Sequence, residues 1–279
     1  MSFQVLNTSG YARRGELTTK TCAVQTPVFM PVGTYGTVKG LTPEHLHDIG
    51  FEIILGNAFH LHQRPGLETI KKFNGLHDFM GWDKSILTDS GGFQIWSLND
   101  LRKITEEGVE FKSPLDGSKI FMSPEDSIDT QLTLNSDIIM AFDECTDYPS
   151  SYEDAEQSMH LTHRWTERSL NYFQKHQKGH LLFGIVQGGM HEELRKQSLA
   201  FMNNLQLDGI ALGGLSVGEP KAEKTKILKC LAPMLPENKA HYVMGVGTPE
   251  ELVEGVRYGI DMFDCVMPTR NARNGFLYT

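Results

Sequence analysis

Leu181-Leu-Phe-Gly-Ile-Val-Gln187-Gly-Gly189 is a continuous apolar run that stops at an amide and two glycines. A strand with one wet face alternates apolar and polar residues, whereas an unbroken run belongs to a strand covered on both faces, as in a parallel sheet. Similar runs stand at Pro27–Val32, Glu52–Leu55, Ser85–Thr88, Asp137–Phe142, Gly209–Leu212, His241–Met244 and Asp261–Val266. Helical segments separate several of them, the longest from about Tyr152 to His176. Thr42-Pro43, Ser123-Pro124 and Thr248-Pro249 each set a capping hydroxyl before a proline at the first helical position. Ser123 and Asp126, like Thr248 and Glu251, have the spacing of a capping box. Eight strands alternating with helices predict an α/β fold, a (β/α)8 TIM-type barrel filling residues 1–279 as one domain.

Two segments depart from the repeat. Residues 3–24 read as an antiparallel hairpin ahead of the barrel, and residues 109–122, with Asp116-Gly117 as the turn, as a hairpin inserted after the third strand. The sequence supplies no helix to cover the eighth strand.

The chain has 26 basic and 35 acidic residues, a net charge of −9. That balance argues against a generic nucleic-acid binder but leaves room for a local basic patch. No apolar run reaches the roughly 18 residues of a membrane span, and no signal layout opens the chain. Cys22, Cys145, Cys230 and Cys265 are widely spaced, which fits reduced thiols in the cytoplasm. Apart from His60 and His62, the histidines fall mostly on helical segments and read as surface residues, among them His163, His180 and His241.

In such a barrel, function sits where the strands end. The residues there include Thr34, Asn57, Asp89-Ser90-Gly91-Gly92, Asp143-Glu144-Cys145, Gln187-Gly188-Gly189, Gly213-Gly214-Leu215, Gly245 and Asp264. Two carboxylates across a pocket suit substitution at a sugar carbon, one as nucleophile and one moving protons. A third carboxylate and an amide can read the edge of a base, the carboxylate accepting N–H groups and the amide donating to a carbonyl. Phe93 and Met244 can stack on a ring. Arg270 and Arg273, just beyond Asp264, are suited to phosphates or base edges.

Asp89-Ser-Gly-Gly-Phe-Gln94, Gln187-Gly-Gly189, Gly213-Gly-Leu-Ser-Val-Gly-Glu219 and Asp264-Cys-Val-Met-Pro-Thr-Arg-Asn-Ala-Arg-Asn-Gly275 resemble the bacterial tRNA-guanine transglycosylases (queuine tRNA-ribosyltransferase family), from about residue 3 to the last residue. The resemblance implies exchange of guanine at the wobble position of GUN-anticodon tRNAs for 7-aminomethyl-7-deazaguanine. By the same resemblance Asp264 is the nucleophile on the ribose and Asp89 the general acid and base. Asp143 holds the amidine edge of the purine, Gln187 and the Gly214 N–H its carbonyl, and the Leu215 carbonyl the ammonium of the incoming base. Phe93, where the family often has tyrosine, and Met244 sandwich the ring. Ser90, Asn57, Thr34 and Gln94 support Asp89. Thr269, Arg270 and Arg273 meet the RNA. Cys145 matches the bacterial pattern, and Val217 stands where the eukaryotic relatives have glycine. The resemblance further implies a homodimer, and a structural zinc held by about a hundred further residues with a Cys-x-Cys-x-x-Cys cluster, which lies beyond Thr279; no cofactor or metal is expected within the chain itself.

Two other readings compete. A metal-dependent hydrolase barrel would use His60 and His62 with Asp264, but needs histidines where Gln187 and Gly213 end the fifth and sixth strands. A non-catalytic tRNA-binding subunit of the same family would not need Asp264, Asp89 and Asp143.

Overall fold

The computed structural model describes residues 2–96 and 102–279. It opens with a three-stranded antiparallel sheet of β1 (Phe3–Ser9), β2 (Ala12–Thr18) and β3 (Ala23–Thr26). The barrel follows. Its first strand is split into β4 (Val28–Met30) and β5 (Val32–Gly33), and β6 (Ile53–Gly56) and β7 (Ser85–Thr88) come next. A second antiparallel sheet is inserted here: β8 (Arg102–Ile104), β9 (Val109–Lys112) and β10 (Lys119–Met122). The barrel resumes with β11 (Ile138–Met140), β12 (Leu181–Val186), β13 (Gly209–Leu212), β14 (Ala240–Val243) and β15 (Met262–Asp264).

All the barrel pairings are parallel, in the order β4-β15-β14-β13-β12-β11-β7-β6-β5. The split first strand closes the ring, β4 pairing with the last strand and β5 with the second. Pro31 lies at the split, where a residue without an N–H can only accept, and it takes the Leu55 N–H at 3.0 Å.

The unbroken apolar runs are explained by burial on both faces. Leu181, Phe183 and Ile185 of β12 point into the barrel with Leu55, Leu87, Met140, Ala211 and Met262. Leu182 and Val186, one step away, pack outward with Ile139, Ile210, Leu212 and Val243 against the helices. Gly184 also faces outward, where a Cβ would come within 2.5 Å of Leu207 Cδ1. Helices begin where hydroxyl–proline pairs predict, at Pro43, Pro124 and Pro249, and the longest runs Tyr152–His176. The boxes at Ser123/Asp126 and Thr248/Glu251 both form.

The N-terminal sheet plugs the barrel floor with Phe3, Leu17 and Val24, which join the lumen cluster. Arg13 on β2 ties this sheet to the base of β15, its Nε and Nη2 donating to Asp261 at 2.9 and 2.5 Å. Both groups are buried, so losing one partner costs about 3–5 kcal/mol.

Three expectations need adjusting. Each supposed hairpin carries a third strand: β3 pairs with β2, extending the first unit to Thr26, and the polar β8 pairs with β9. A seven-residue helix, Met267–Arg273, does follow β15 but buries none of its residues, and the strand is covered all the same, Phe263 packing against Gly255 of the helix Pro249–Arg257 and lying only 2% exposed. His163, His180 and His241 are buried rather than superficial. His163 stacks on Phe201 at 4.0 Å, and His241 sits with Nδ1 2.8 Å from the Gly259 carbonyl and Nε2 2.9 Å from that of Pro236, its single N–H serving one of them. Burial pushes the His241 ring down to about 3, so it stays neutral.

Candidate active site

Parallel strands deliver their C-terminal residues to one mouth. A cavity of about 440 Å³ opens there. Its walls come from every barrel strand: Thr34, Asn57, Asp89 with Ser90, Phe93 and Gln94, Asp143 with Cys145, Gln187, Gly214 with Leu215 and Val217, Met244, and Asp264 followed by Arg270. A larger hollow of about 800 Å³ lies under the floor sheet, but its buried charge, Arg13, is already paired.

Asp89 ends β7 and is held on two sides. Asn57 Nδ2 donates to Oδ2 at 2.5 Å, and the Ala58 N–H to Oδ1 at 2.8 Å. Burial raises its carboxyl to about 7; the Ala58 N–H opposes the rise, and the charges of Asp264 and Asp143 add to it. A carboxyl poised near neutral pH can both give and take a proton.

Asp143 follows β11. Ser90 Oγ donates to its Oδ1 at 2.8 Å and Gln187 Nε2 to its Oδ2 at 2.8 Å. Burial raises its carboxyl, and these two hydrogen bonds work against the rise. The closeness depends on Gly92, where a Cβ would stand 2.5 Å from the Asp143 carbonyl oxygen. Gly213 likewise leaves room for Gln187, whose Nε2 would be 2.7 Å from a Cβ. Cys145, next in the wall, is a neutral thiol, pushed up to about 12 by burial.

Asp264 ends β15 at the open side of the cavity. Its Oδ1 accepts from the Tyr242 hydroxyl at 2.5 Å and the Gly245 N–H at 2.7 Å. No Lys, Arg or His lies within 4.0 Å of it among the described residues. Burial raises its carboxyl, and the two donors lower it. Tyr242 itself is raised well above the ordinary phenol value by burial and by Asp264, so it remains a donor.

A family model described as Queuine tRNA-ribosyltransferase matches residues 8–279. The chain belongs to the queuine tRNA-ribosyltransferase family. It is 61% identical over 279 residues to a protein of Dechloromonas aromatica (strain RCB) named Queuine tRNA-ribosyltransferase, covering all of this chain and 76% of that one. Proteins of the same name from Herminiimonas arsenicoxydans and Neisseria meningitidis serogroup A are each 57% identical, with all of this chain and 76% and 75% of theirs covered.

Of the transglycosylase residues named from sequence, the structure brings all but two to the cavity wall. Thr269 and Arg273 lie outside it on the rim helix. Thr269 Oγ1 donates to the Val266 carbonyl, while Arg273 lies along Gly40 and donates to the Lys39 carbonyl at 3.1 Å. Phe93 is 45% exposed at the mouth. Among the described residues no group of three or more His, Cys, Asp or Glu could hold a metal ion, and all four cysteines are free.

Sequence reading missed Tyr242, Arg195 and the Ala58 and Gly245 amides. Tyr242 had a signal: it lies two residues before Met244, at the spacing that puts both on the inward face. Arg195 had one too, since it falls on the buried stripe Leu194, Ser198, Leu199 and Met202 of the helix Glu192–Asn203. No helix among the described residues is long and apolar enough to cross a membrane.

Proposed function

We propose that the chain exchanges the wobble guanine of GUN-anticodon tRNAs (those for Asp, Asn, His and Tyr) for 7-aminomethyl-7-deazaguanine through a covalent ribosyl–aspartate intermediate, a step of queuosine biosynthesis. The observation that carries the reading is the convergence of Asp264, Asp89, Asp143 and Gln187 on one cavity about the size of a nucleoside.

Asp264 attacks C1′ of the ribose. Its Oδ1 is occupied by Tyr242 and Gly245, which leaves Oδ2 as the attacking atom. The bond from C1′ to guanine N9 breaks, its electron pair leaves with the base, and Asp89 supplies the proton. In the return step the incoming base gives its N9 proton to Asp89. N9 attacks C1′, and the carboxylate of Asp264 departs with the ester electrons.

Asp143 accepts the N1–H and exocyclic amine of the purine, while Gln187 Nε2 leaves Asp143 for the purine carbonyl, joined by the Gly214 N–H. Phe93 and Met244 cover the ring faces, and Ser90, Thr34 and Gln94 support the carboxylates. The Leu215 carbonyl takes the ammonium of the aminomethyl group. Val217, beside Cys145, crowds any bulkier substituent and so favours the small base over queuine. Arg270, Arg273 and Thr269 face the anticodon from the rim, a local basic patch on an acidic protein. The enzyme works in the cytoplasm, as a homodimer.

The test is incorporation of labelled guanine into purified tRNAs. Exchange into the four GUN tRNAs and not into others is expected; no exchange into any of them sinks the reading. Val217→Gly should admit queuine, and wild-type uptake of queuine as fast as the aminomethyl base would refute the size argument.

A further inference from the structure

Arg195 lies on the helix Glu192–Asn203, has no exposed surface, and has no carboxylate within 4.0 Å among the described residues. Such a charge is costly to bury unless its donors are met. Here they are met by backbone alone. Nε donates to the Gly189 carbonyl at 2.7 Å, Nη1 to those of Val186 and Gly213 at 2.8 and 2.7 Å, and Nη2 to that of Gly214 at 3.3 Å. These carbonyls belong to the two loops that carry Gln187 and Gly214. Burial lowers the guanidinium to about 10, which still leaves it charged at neutral pH.

A carbonyl and the N–H of the next residue share one conjugated peptide unit. The bond to the Gly213 oxygen therefore draws electron density from the Gly214 nitrogen and sharpens its N–H as a donor, and chained hydrogen bonds in a low dielectric strengthen one another. The Gly214 N–H has no protein acceptor among the described residues, and the residue lines the cavity. A fixed cation thus stands behind a spare donor at the base site.

We propose that Arg195 is a positioning residue that acts through the Gly213–Gly214 peptide, fixing and strengthening the Gly214 N–H toward the carbonyl of the bound purine. The inference rests on the base-exchange reading given above. A cation already in place holds this donor in position before the base arrives.

The experiment compares the wild type with Arg195→Lys and Arg195→Met in labelled-guanine exchange, with KM measured separately for guanine and for tRNA. Lysine keeps the charge, but its single nitrogen cannot reach all four carbonyls. Both variants should raise the guanine KM by about tenfold while leaving the tRNA KM within about twofold. A guanine KM unchanged in both variants, or both KM values rising in parallel as from general loosening, overturns the proposal. Should the variants fail to fold, the side-chain N–H protons of Arg195 and the amide proton of Gly214 in the wild-type protein decide. Guanine should move both together, and 2-aminopurine, which lacks the carbonyl, should move neither; a Gly214 shift with Arg195 unmoved, or equal responses to the two bases, overturns the proposal. Absence of wild-type exchange sinks the base-exchange reading and this inference together, whereas intact exchange with unaltered KM values sinks this inference alone.

Discussion

Asp261 stands just before β15 and Asp264 ends it, and their surroundings differ in one respect. Asp261, at the barrel floor, has its two oxygens met by Arg13 and also accepts the His241 N–H at 2.6 Å. Asp264, at the mouth, is met only by neutral donors, Tyr242 and Gly245. Burial raises both carboxyls, but only at Asp261 does a guanidinium pull the other way. The first has its charge compensated inside the protein and holds the floor sheet in place. The second has no cation beside it among the described residues, as the proposed nucleophile requires. Carboxylates close together in sequence thus differ in environment by a single cation.

The sharpest way to break this contrast is to remove each charge in turn. Asp264→Asn should lower base exchange by about 10⁴-fold or more and abolish the covalent adduct on a denaturing gel, with the melting temperature nearly unchanged. A trapped adduct in this variant would mean that the mouth carboxylate is not the nucleophile. Asp89→Asn should slow exchange by about 10²–10⁴-fold. The folded carboxyl titrates at about 7 against a model value of 3.8. Between those values the folded protein holds a proton that the unfolded chain has released, so stability falls as pH rises across the window and is level above it. The asparagine variant should therefore be more stable than the wild type at pH 8, by ~1–4 kcal/mol, with the difference shrinking toward pH 4; urea unfolding at several pH values measures it. The wild-type exchange rate should also decline above about pH 7, where the proton donor is lost.

Asp261→Ala should show the opposite profile, costing about 3–5 kcal/mol of stability while the folded fraction keeps its turnover. A turnover loss as large as that of Asp264→Asn would erase the distinction between the two carboxylates. Tyr242→Phe makes the smallest change, about tenfold in exchange, with a KM for tRNA close to the wild-type value.

The barrel was legible because burial on both faces leaves no alternation, and β12 and β13 fall at the bounds read from their apolar runs. The cavity wall was legible because parallel strands send consecutive motif residues to one end. The third strands were not. β8, Arg102–Ile104, is short, polar and edge-like, and gives no apolar signal. The backbone donors were invisible for another reason: the Ala58 and Gly245 amides act through main-chain geometry, which no side-chain type announces. His241 was misread because its neighbours decide its burial; the carbonyls of Pro236 and Gly259 flank a ring that composition alone assigns to the surface, and one of them takes its N–H.

One property of the ring closure reaches further than the chemistry. β15 completes the barrel by pairing with β4, Met262 beside Val28, Phe263 beside Phe29 and Asp264 beside Met30. These partners are among the most distant in the chain, so their contact repays its loop-closure entropy late in folding. Asp264, the proposed nucleophile, rides on this closing stave. On that proposal base exchange requires the ring to be shut, so turnover would report closure of the barrel.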